Sequence, residues 1–188
     1  MRIISGFYKG KKILEPKDIK TRPLKDLTKE SIFNIIIHTK KFKINFEDAI
    51  ILDLFSGVGS FGLECLSRGV KKVIFVENYS GVLPILKKNL SNLKLNEKYQ
   101  IIEKNIYDDK TFSELNNKFD IIFLDPPYKD KNFNQILIKI MDTNLLNKNG
   151  IIIVHRHKKE KDNFIENYKI IDEKKYGISK IIFLTLLN

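Results

Sequence analysis

The fold of this 188-residue chain is decided by the stretch Leu52-Asp53-Leu54-Phe55-Ser56-Gly57-Val58-Gly59-Ser60-Phe61-Gly62. It begins inside a short apolar run and leads into an amphipathic one, which is the pattern of a strand, a tight turn and a helix. Gly57, Gly59 and Gly62 fit the pattern G-x-G-x-x-G, in which glycines let the backbone turn sharply and approach a ligand closely. We therefore expect a nucleotide-containing ligand at the end of the first strand.

Two carboxylates and one amide extend this motif. Glu77 ends the next predicted strand, where an acidic side chain accepts hydrogen bonds from ribose hydroxyls, so NAD and S-adenosylmethionine both remain possible. Asp53 favours S-adenosylmethionine, because a carboxylate at the loop entrance repels a pyrophosphate but attracts an amino group and a sulfonium. Asn105, after the third strand, is either a ligand of the adenine amino group or an ordinary loop asparagine. The predicted cofactor-binding set is Asp53, Phe55, Ser56, Gly57, Gly59, Gly62, Glu77 and Asn105.

From Ala49 onward, short apolar runs alternate with amphipathic stretches, as in βα units. Strands are expected at 50–54, 73–76, 100–103, 121–124 and 151–154, and helices at 60–67, 81–95, 110–117 and 133–146. The tail carries two apolar runs, 168–172 and 178–187, with no helix between them, which indicates an antiparallel hairpin. We predict an α/β protein with a Rossmann-like, mostly parallel seven-stranded sheet that ends in this hairpin.

A second motif, Asp125-Pro126-Pro127-Tyr128, follows the fourth predicted strand. Two successive prolines remove two backbone donors, so the loop presents carbonyls beside a carboxylate and an aromatic ring. This set suits a planar base with an exocyclic amino group, which donates to Asp125 and the Pro126 carbonyl while Tyr128 stacks on the ring. We predict that all four residues form the catalytic site. Ligand loops of open α/β sheets lie at the carboxyl ends of strands, so both motifs are expected to face one crevice.

The chain carries 34 basic and 23 acidic residues, a net charge of +11. Lysine outnumbers arginine 30 to 4, as a low-GC coding bias alone would produce, so the distribution is more informative than the total. Residues 1–46 contain 12 basic and 4 acidic residues, a net of +8. We therefore interpret 1–46, read as a short β-hairpin and a helix, as a basic N-terminal extension that contacts a polyanion, and 47–188 as the catalytic domain.

Other classes of protein are disfavoured by the composition. No apolar run approaches the roughly 20 residues of a membrane span, and the N-terminus lacks the apolar segment of a secretory signal. The single cysteine, Cys65, excludes an internal disulfide. Three scattered histidines make no metal-ligand set, so we expect no metal. Together these features favour a cytoplasmic protein without a membrane partner.

The sequence resembles the RsmD-type 16S ribosomal RNA (guanine-N2) methyltransferases over nearly its full length. The motifs that carry the resemblance are Arg2-Ile3-Ile4-Ser5-Gly6, Thr21-Arg22-Pro23, Glu30-Ser31-Ile32-Phe33-Asn34-Ile35, the glycine loop with Leu63-Glu64, Ser67-Arg68-Gly69, Phe75-Val76-Glu77, Asp125-Pro126-Pro127-Tyr128 and Tyr176-Gly177. The resemblance implies a class I S-adenosylmethionine-dependent methyltransferase. It also implies that a monomer modifies the N2 amino group of guanine 966 in 16S rRNA, on the 30S subunit or its assembly intermediate.

The resemblance further implies that the N-terminal segment holds RNA. The expected RNA contacts are Arg2, Lys9, Lys11, Lys12, Arg22 and Lys29. The family usually has an arginine about two residues after the aspartate of its N-terminal block, where the chain has Leu27, Thr28 and Lys29, so Lys29 would supply only a point charge. The strand expected at 151–154 is followed by His155, Arg156 and His157, where the family usually has an acidic residue. We interpret these three as solvated polar residues at a strand end, with added RNA contacts as the alternative.

Three other functions fit parts of the sequence. A DNA adenine-N6 or cytosine-N4 methyltransferase uses the same loop chemistry, but 188 residues leave no room for the sequence-reading domain that such enzymes generally add. An NAD(P)-dependent oxidoreductase would need a catalytic Tyr/Lys or Ser constellation, which is not apparent. A non-catalytic RNA-binding assembly factor is disfavoured because Asp53 and Asp125 are both present.

Overall fold

A computed structural model describes residues 1–16, 24–127 and 130–187. In chain order the elements are α1 (Asp26–His38), β1 (Ile50–Leu54), α2 (Ser60–Ser67), β2 (Lys72–Val76), α3 (Leu83–Ser91), a 3-10 turn (Asn96–Lys98), β3 (Tyr99–Ile102), α4 (Asp109–Ser113), β4 (Phe119–Leu124), α5 (Phe133–Asp142), β5 (Leu146–His157), β6 (Tyr168–Tyr176) and β7 (Ser179–Leu186). The expected alternation of strands and helices from Ala49 to β5 is confirmed.

The strands form one seven-stranded sheet in the order β3-β2-β1-β4-β5-β7-β6. The first five strands are parallel, whereas β7 pairs antiparallel with both β5 and β6. The predicted mostly parallel sheet with a C-terminal antiparallel hairpin is therefore confirmed. The chain reverses its direction of travel across the sheet between β1 and β4, so the loops that follow these two neighbouring strands lie side by side at the carboxyl edge. Open α/β sheets bind their ligands in a crevice at this position.

Helices cover both faces of the sheet because its strands are apolar on both sides. One core cluster joins residues of α1, α2 and α3, and the other joins residues of α4 and α5. Stacking of Phe61 between Phe33 and Phe123, at centroid distances of 5.3 and 4.1 Å, connects α1 through α2 to the sheet. This fixes the start of α2, and with it the glycine loop, above the end of β1.

The N-terminal segment is attached to α2 rather than forming a sheet of its own. The expected hairpin is reduced to one antiparallel bridge, Arg2 to Lys12. The Glu64 carboxylate accepts hydrogen bonds from the backbone N–H groups of Ile4 at 2.7 Å and Ser5 at 2.9 Å. Ile3 belongs to the same hydrophobic core as Ile51 of β1. The predicted boundary between residues 46 and 47 therefore divides the chain by proposed function and does not separate two hydrophobic cores.

Three helices are shorter than the sequence predicts, and one of them, α4, ends at Ser113 instead of the predicted residue 117. The last helix ends at Asp142, ahead of the predicted end at Leu146, because Asn144 has φ +51° and turns the chain into β5. The third helix covers only Leu83–Ser91 of the predicted range 81–95. In the described part of the chain, no helix has the length and apolar character needed to cross a bilayer.

Candidate active site

The three motif glycines have different surroundings. A Cβ added at Gly62 would lie 2.3 Å from the Phe75 ring, and one added at Gly59 would lie 2.6 Å from Leu86. These two glycines therefore let α2 pack closely on the sheet and on α3. A Cβ at Gly57 would meet no atom within 4 Å, although its φ is +55°. The loop is open at Gly57, which is the part of the motif available to a ligand.

Glu77 connects the loops that follow β1 and β2. Its Oε2 accepts from the Gly57 N–H at 2.8 Å, while Oε1 accepts from the N–H groups of Asn78 at 2.9 Å and Tyr79 at 2.8 Å. Each carboxylate oxygen has further lone-pair capacity, so Glu77 can hold the loop and still accept from hydroxyl groups of a ligand. This position fits the ribose-binding role predicted from the sequence.

Asp53 lies beneath the glycine loop and is 1% exposed. Its Oδ2 accepts a hydrogen bond from the Gly62 N–H at 3.0 Å. Burial raises the pKa of Asp53 well above the usual carboxyl value, and the nearby Asp125 and Glu77 carboxylates raise it further. A cation bound above Asp53 would stabilise the ionised form of its carboxylate.

The crevice is therefore acidic although the whole chain is basic. Asp53, Glu77 and Asp125 come from the ends of three adjacent strands, β1, β2 and β4, and their charges disfavour one another. A cationic ligand relieves this repulsion, whereas a pyrophosphate would add to it. The electrostatics therefore suit the ammonium and sulfonium groups of S-adenosylmethionine better than a dinucleotide. Within residues 1–16, 24–127 and 130–187, no three or more His, Cys, Asp or Glu side chains are arranged so that they could hold a metal ion.

Replacing Asp53 with Asn is expected to separate stability from binding. With its pKa raised, Asp53 holds its proton more tightly in the folded protein than in the unfolded chain. Ionised Asp53 therefore costs stability as the pH rises above the ordinary carboxyl range. Asn keeps an acceptor for Gly62 and removes this cost, so the melting temperature at pH 8 should be unchanged or higher. Cofactor affinity should fall about tenfold.

Calorimetry with S-adenosylmethionine and thermal melts at pH 6 and pH 8 measure both effects. An Asn variant that melts earlier yet binds equally well would contradict this assignment for Asp53.

The remaining predicted cofactor residues shape the loops. The Ser56 hydroxyl donates to the Asp53 carbonyl at 2.6 Å, and the Ser56 N–H donates to the Val76 carbonyl at 3.2 Å, so Ser56 joins β1 to β2. Phe55 has φ +57°, and its ring centroid lies 6.1 Å from that of Tyr107. The exposed Asn105 accepts from the Tyr107 N–H at 3.1 Å through its side chain. Its predicted contact with adenine stays a prediction.

Tyr107 is a site residue that the sequence analysis missed. Its hydroxyl donates to Asp130 Oδ2 at 2.5 Å and joins the loop after β3 to the segment after the second motif. Burial and the Asp130 carboxylate raise the pKa of Tyr107. The sequence gives little indication of this role, because nothing around Tyr107 points to a hydrogen-bond partner 23 residues further along the chain.

The second motif lies where the sequence predicts. Asp125 follows β4 directly, and its side chain is 21% exposed at the crevice. Pro126 is buried and Pro127 exposed. The Pro127 carbonyl accepts from the Asp130 N–H at 2.8 Å. The fourth predicted catalytic residue, Tyr128, lies outside the described residues.

The interpretation of His155 and Arg156 as solvated is wrong, because both side chains are buried, at 6% and 2% exposure. His155 binds Asp125 through Nδ1, at 2.8 Å. Arg156 donates to the Asp162 carboxylate at 2.9 Å and to the carbonyls of Pro127 and Asp130 at 3.3 and 2.9 Å. Arg156 thereby fixes both residues that flank positions 128 and 129.

The structure also corrects the assignment of Lys29. It is fully buried, and its ammonium donates to the Arg2 carbonyl at 2.7 Å and lies 3.6 Å from the Glu64 carboxylate. Burial lowers the pKa of Lys29, and Glu64 opposes this effect. The cation therefore attaches the N-terminal segment to α2 and does not face RNA.

The other predicted RNA contacts differ in position. Arg2, Lys9, Lys11 and Lys12 are exposed, and Arg22 lies outside the described residues. The N-terminal segment runs along α2. At the first residue of α2, the Lys29 ammonium donates both to the Arg2 carbonyl and to the Ser60 hydroxyl, and at the last residue the Tyr8 N–H donates to the Ser67 hydroxyl. Because α2 leads from the carboxyl edge of the sheet to the amino edge, Lys9 lies on the side away from the crevice.

Comparison with known proteins adds the following findings. The family described as "Conserved hypothetical protein 95" matches residues 1–185. "Ribosomal RNA small subunit methyltransferase D" of Haemophilus influenzae is 34% identical over 182 residues, which cover 95% of this chain and 90% of that protein. "Putative rRNA methyltransferase YlbH" of Bacillus subtilis is 32% identical over 183 residues, with 96% of each chain covered. Among solved structures, "Putative methyltransferase yhhF" from Escherichia coli has a TM-score of 0.79 at 26% identity, covering 98% of this chain and 96% of that one.

Proposed function

This chain belongs to the Conserved hypothetical protein 95 family of S-adenosylmethionine-dependent methyltransferases, and we propose that it methylates the exocyclic N2 amino group of a guanine in small-subunit rRNA. Its relative from Haemophilus influenzae carries small-subunit rRNA in its name, which supports the RNA class. The resemblance of the sequence to RsmD-type enzymes supports guanine 966 and the 30S subunit as the finer assignment.

One observation carries the proposal: the acidic cofactor loop and a base site that presents a carboxylate and proline carbonyls follow the neighbouring strands β1 and β4. Asp53 and Glu77 favour a cationic methyl donor above the glycine loop. Asp125 and the proline carbonyls offer acceptors to an amino group next to it. Since the Pro127 carbonyl already accepts from Asp130 and Arg156, we assign the amino group to Asp125 and the Pro126 carbonyl.

Catalysis then consists mainly of orientation. S-adenosylmethionine supplies a methyl group on a positive sulfur, and transfer forms an N–C bond, breaks the S–C bond and releases one proton from the nitrogen. A guanine amino lone pair is delocalised into the ring and is a weak nucleophile. By accepting both amino hydrogens, Asp125 and the Pro126 carbonyl favour a pyramidal nitrogen and direct its lone pair at the methyl group. The burial of Asp53 and Pro126 limits the access of water to this path.

Charge reversal at Lys11 and Lys12 is expected to weaken RNA binding. Both side chains are exposed on the N-terminal segment, and the Lys11 ammonium lies 5.0 Å from the Tyr8 ring centroid. Removing two phosphate contacts should raise the KM for RNA and reduce the slope of log affinity against log salt by about 2. The matched control is charge reversal at Lys174 and Lys175 on β6, an edge strand at the far end of the sheet. Equal salt slopes for the two double variants would remove the N-terminal segment from the RNA surface.

Substrate class is tested by offering labelled S-adenosylmethionine with 30S particles, naked 16S rRNA or duplex DNA. We expect label in 30S particles or rRNA and none in DNA. Label confined to DNA would support a DNA amino-methyltransferase instead. Absence of label in all three, with intact cofactor binding, would support a non-catalytic assembly factor.

A further inference from the structure

The buried end of β5 places His155 against the carboxylate that faces the base site. Its Nδ1 lies 2.8 Å from Asp125 Oδ1, and its Nε2 lies 2.9 Å from the Ser179 hydroxyl on β7. The His155 side chain is 7% exposed, compared with 21% for that of Asp125. The imidazole is thus held on two sides, while the carboxylate it contacts reaches the crevice.

The chemistry of the partners assigns the protons. An ionised carboxylate only accepts, so Nδ1–H donates to Asp125. The hydroxyl of Ser179 both donates and accepts. It therefore satisfies Nε2 whether the imidazole is neutral or protonated, and the contact with Asp125 survives a change in the charge of His155.

We propose that His155 is a positioning residue for Asp125. The imidazole binds oxygen Oδ1 of the Asp125 carboxylate and leaves oxygen Oδ2 to accept from the amino group of the target base. This inference rests on the function proposed above for Asp125. Without His155 the carboxylate rotates about its side-chain torsions, and the acceptor is no longer fixed in line with the transferred methyl group.

The charges around His155 predict how this role depends on pH. The groups that face it include Asp125 from the loop after β4, Ser179 from β7 and its neighbour Arg156. Arg156 shares the Asp162 carboxylate with Lys180, and its charge lowers the pKa of His155. Burial lowers the pKa of His155, but the Asp125 carboxylate outweighs this effect and the net pKa lies above the ordinary value. As the pH falls through that pKa, the imidazolium weakens Asp125 as an acceptor. Methyl transfer should decline on the acid side.

Two substitutions of His155 separate positioning from packing. His155→Asn places an amide N–H close to the position of Nδ1 and does not titrate, whereas His155→Gln reaches toward Ser179 and loses Asp125. We expect the Gln variant to lose about 10- to 100-fold in kcat with KM and cofactor Kd little changed. The Asn variant should keep activity within about tenfold and lose the acid limb of the pH profile. Equal losses in both variants, or an acid limb that survives in the Asn variant, would overturn the proposal.

A measurement on the unsubstituted histidine covers the case in which a variant fails to fold. NMR titration of the His155 imidazole is compared between the native protein and Asp125→Asn, and the titration should move to lower pH in the variant. An unmoved titration overturns the coupling. The two proposals fail differently: turnover retained by Asp125→Asn refutes the proposed role of Asp125. If Asp125→Asn loses turnover while both His155 variants keep normal turnover and an unchanged pH profile, only the positioning role of His155 is refuted.

Discussion

Asp125→Asn is expected to reduce methyl transfer by about 10²- to 10⁴-fold while cofactor binding persists. The substitution removes the charge at the base site and allows an amide N–H to face the amino group where an acceptor is needed. Because Asp125 Oδ1 already binds His155, the position has little freedom to accommodate the change. Single-turnover rates with saturating RNA, together with calorimetry using S-adenosylhomocysteine, measure the two effects separately.

Asp109 provides the matched control for this variant. It is a carboxylate on α4 whose side chain is 94% exposed and whose ion pair is with Lys139. Asp109→Asn changes the net charge equally and should leave turnover within about twofold, as expected for a surface substitution. If the two variants retained the same turnover, Asp125 would have no part in orienting the base.

Gly62→Ala is expected to destabilise the protein, whereas Gly57→Ala is expected to remove cofactor binding. The new methyl group at Gly62 would lie 2.3 Å from Phe75, which is fully buried, so relieving the clash requires displacement within the core. Overpacking of this kind costs about 1–3 kcal/mol of unfolding free energy, measured by chemical denaturation. At Gly57 only the positive φ of +55° opposes alanine, at a cost of about 1–2 kcal/mol, but the methyl group enters the open side of the loop.

The two glycine variants are expected to change different properties of the protein. For Gly57→Ala we expect a folded protein whose affinity for S-adenosylmethionine falls at least about tenfold, which corresponds to about 1.4 kcal/mol. For Gly62→Ala we expect affinity to persist at temperatures where the variant is folded. A Gly57→Ala protein that binds normally would mean that the ligand does not approach this part of the loop.

Local patterns were sufficient for the parts of the fold that depend on nearby residues. The apolar runs of β1, β2 and β4 and the glycine spacing before α2 follow from chain periodicity, and the structure has these elements where the patterns predict them. The hairpin of β6 and β7 could also be predicted from the sequence, because two apolar runs with no helix between them favour antiparallel pairing.

Residues whose partners are distant in sequence were misread. His155 and Arg156 look like the polar end of a strand, yet both side chains are buried. Asp125 and Ser179 bind the imidazole, and the carbonyls of Pro127 and Asp130 accept from the guanidinium. Lys29 was counted among the RNA contacts because its charge lies in a basic segment. Its partner Glu64 is on another helix, and no periodicity connects the two. Buried charges are stable only when paired, and pairing is a property of the folded chain.

The methylated nucleoside is the most direct measurement of the proposed activity. Small subunits from cells that lack this protein are incubated with the purified chain and labelled S-adenosylmethionine. Their rRNA is then digested to nucleosides and separated by mass. We predict label in N2-methylguanosine and its absence with Asp125→Asn. Label in N6-methyladenosine or N4-methylcytosine, or none while S-adenosylmethionine binds, would contradict the proposal that this crevice methylates the guanine N2 amino group.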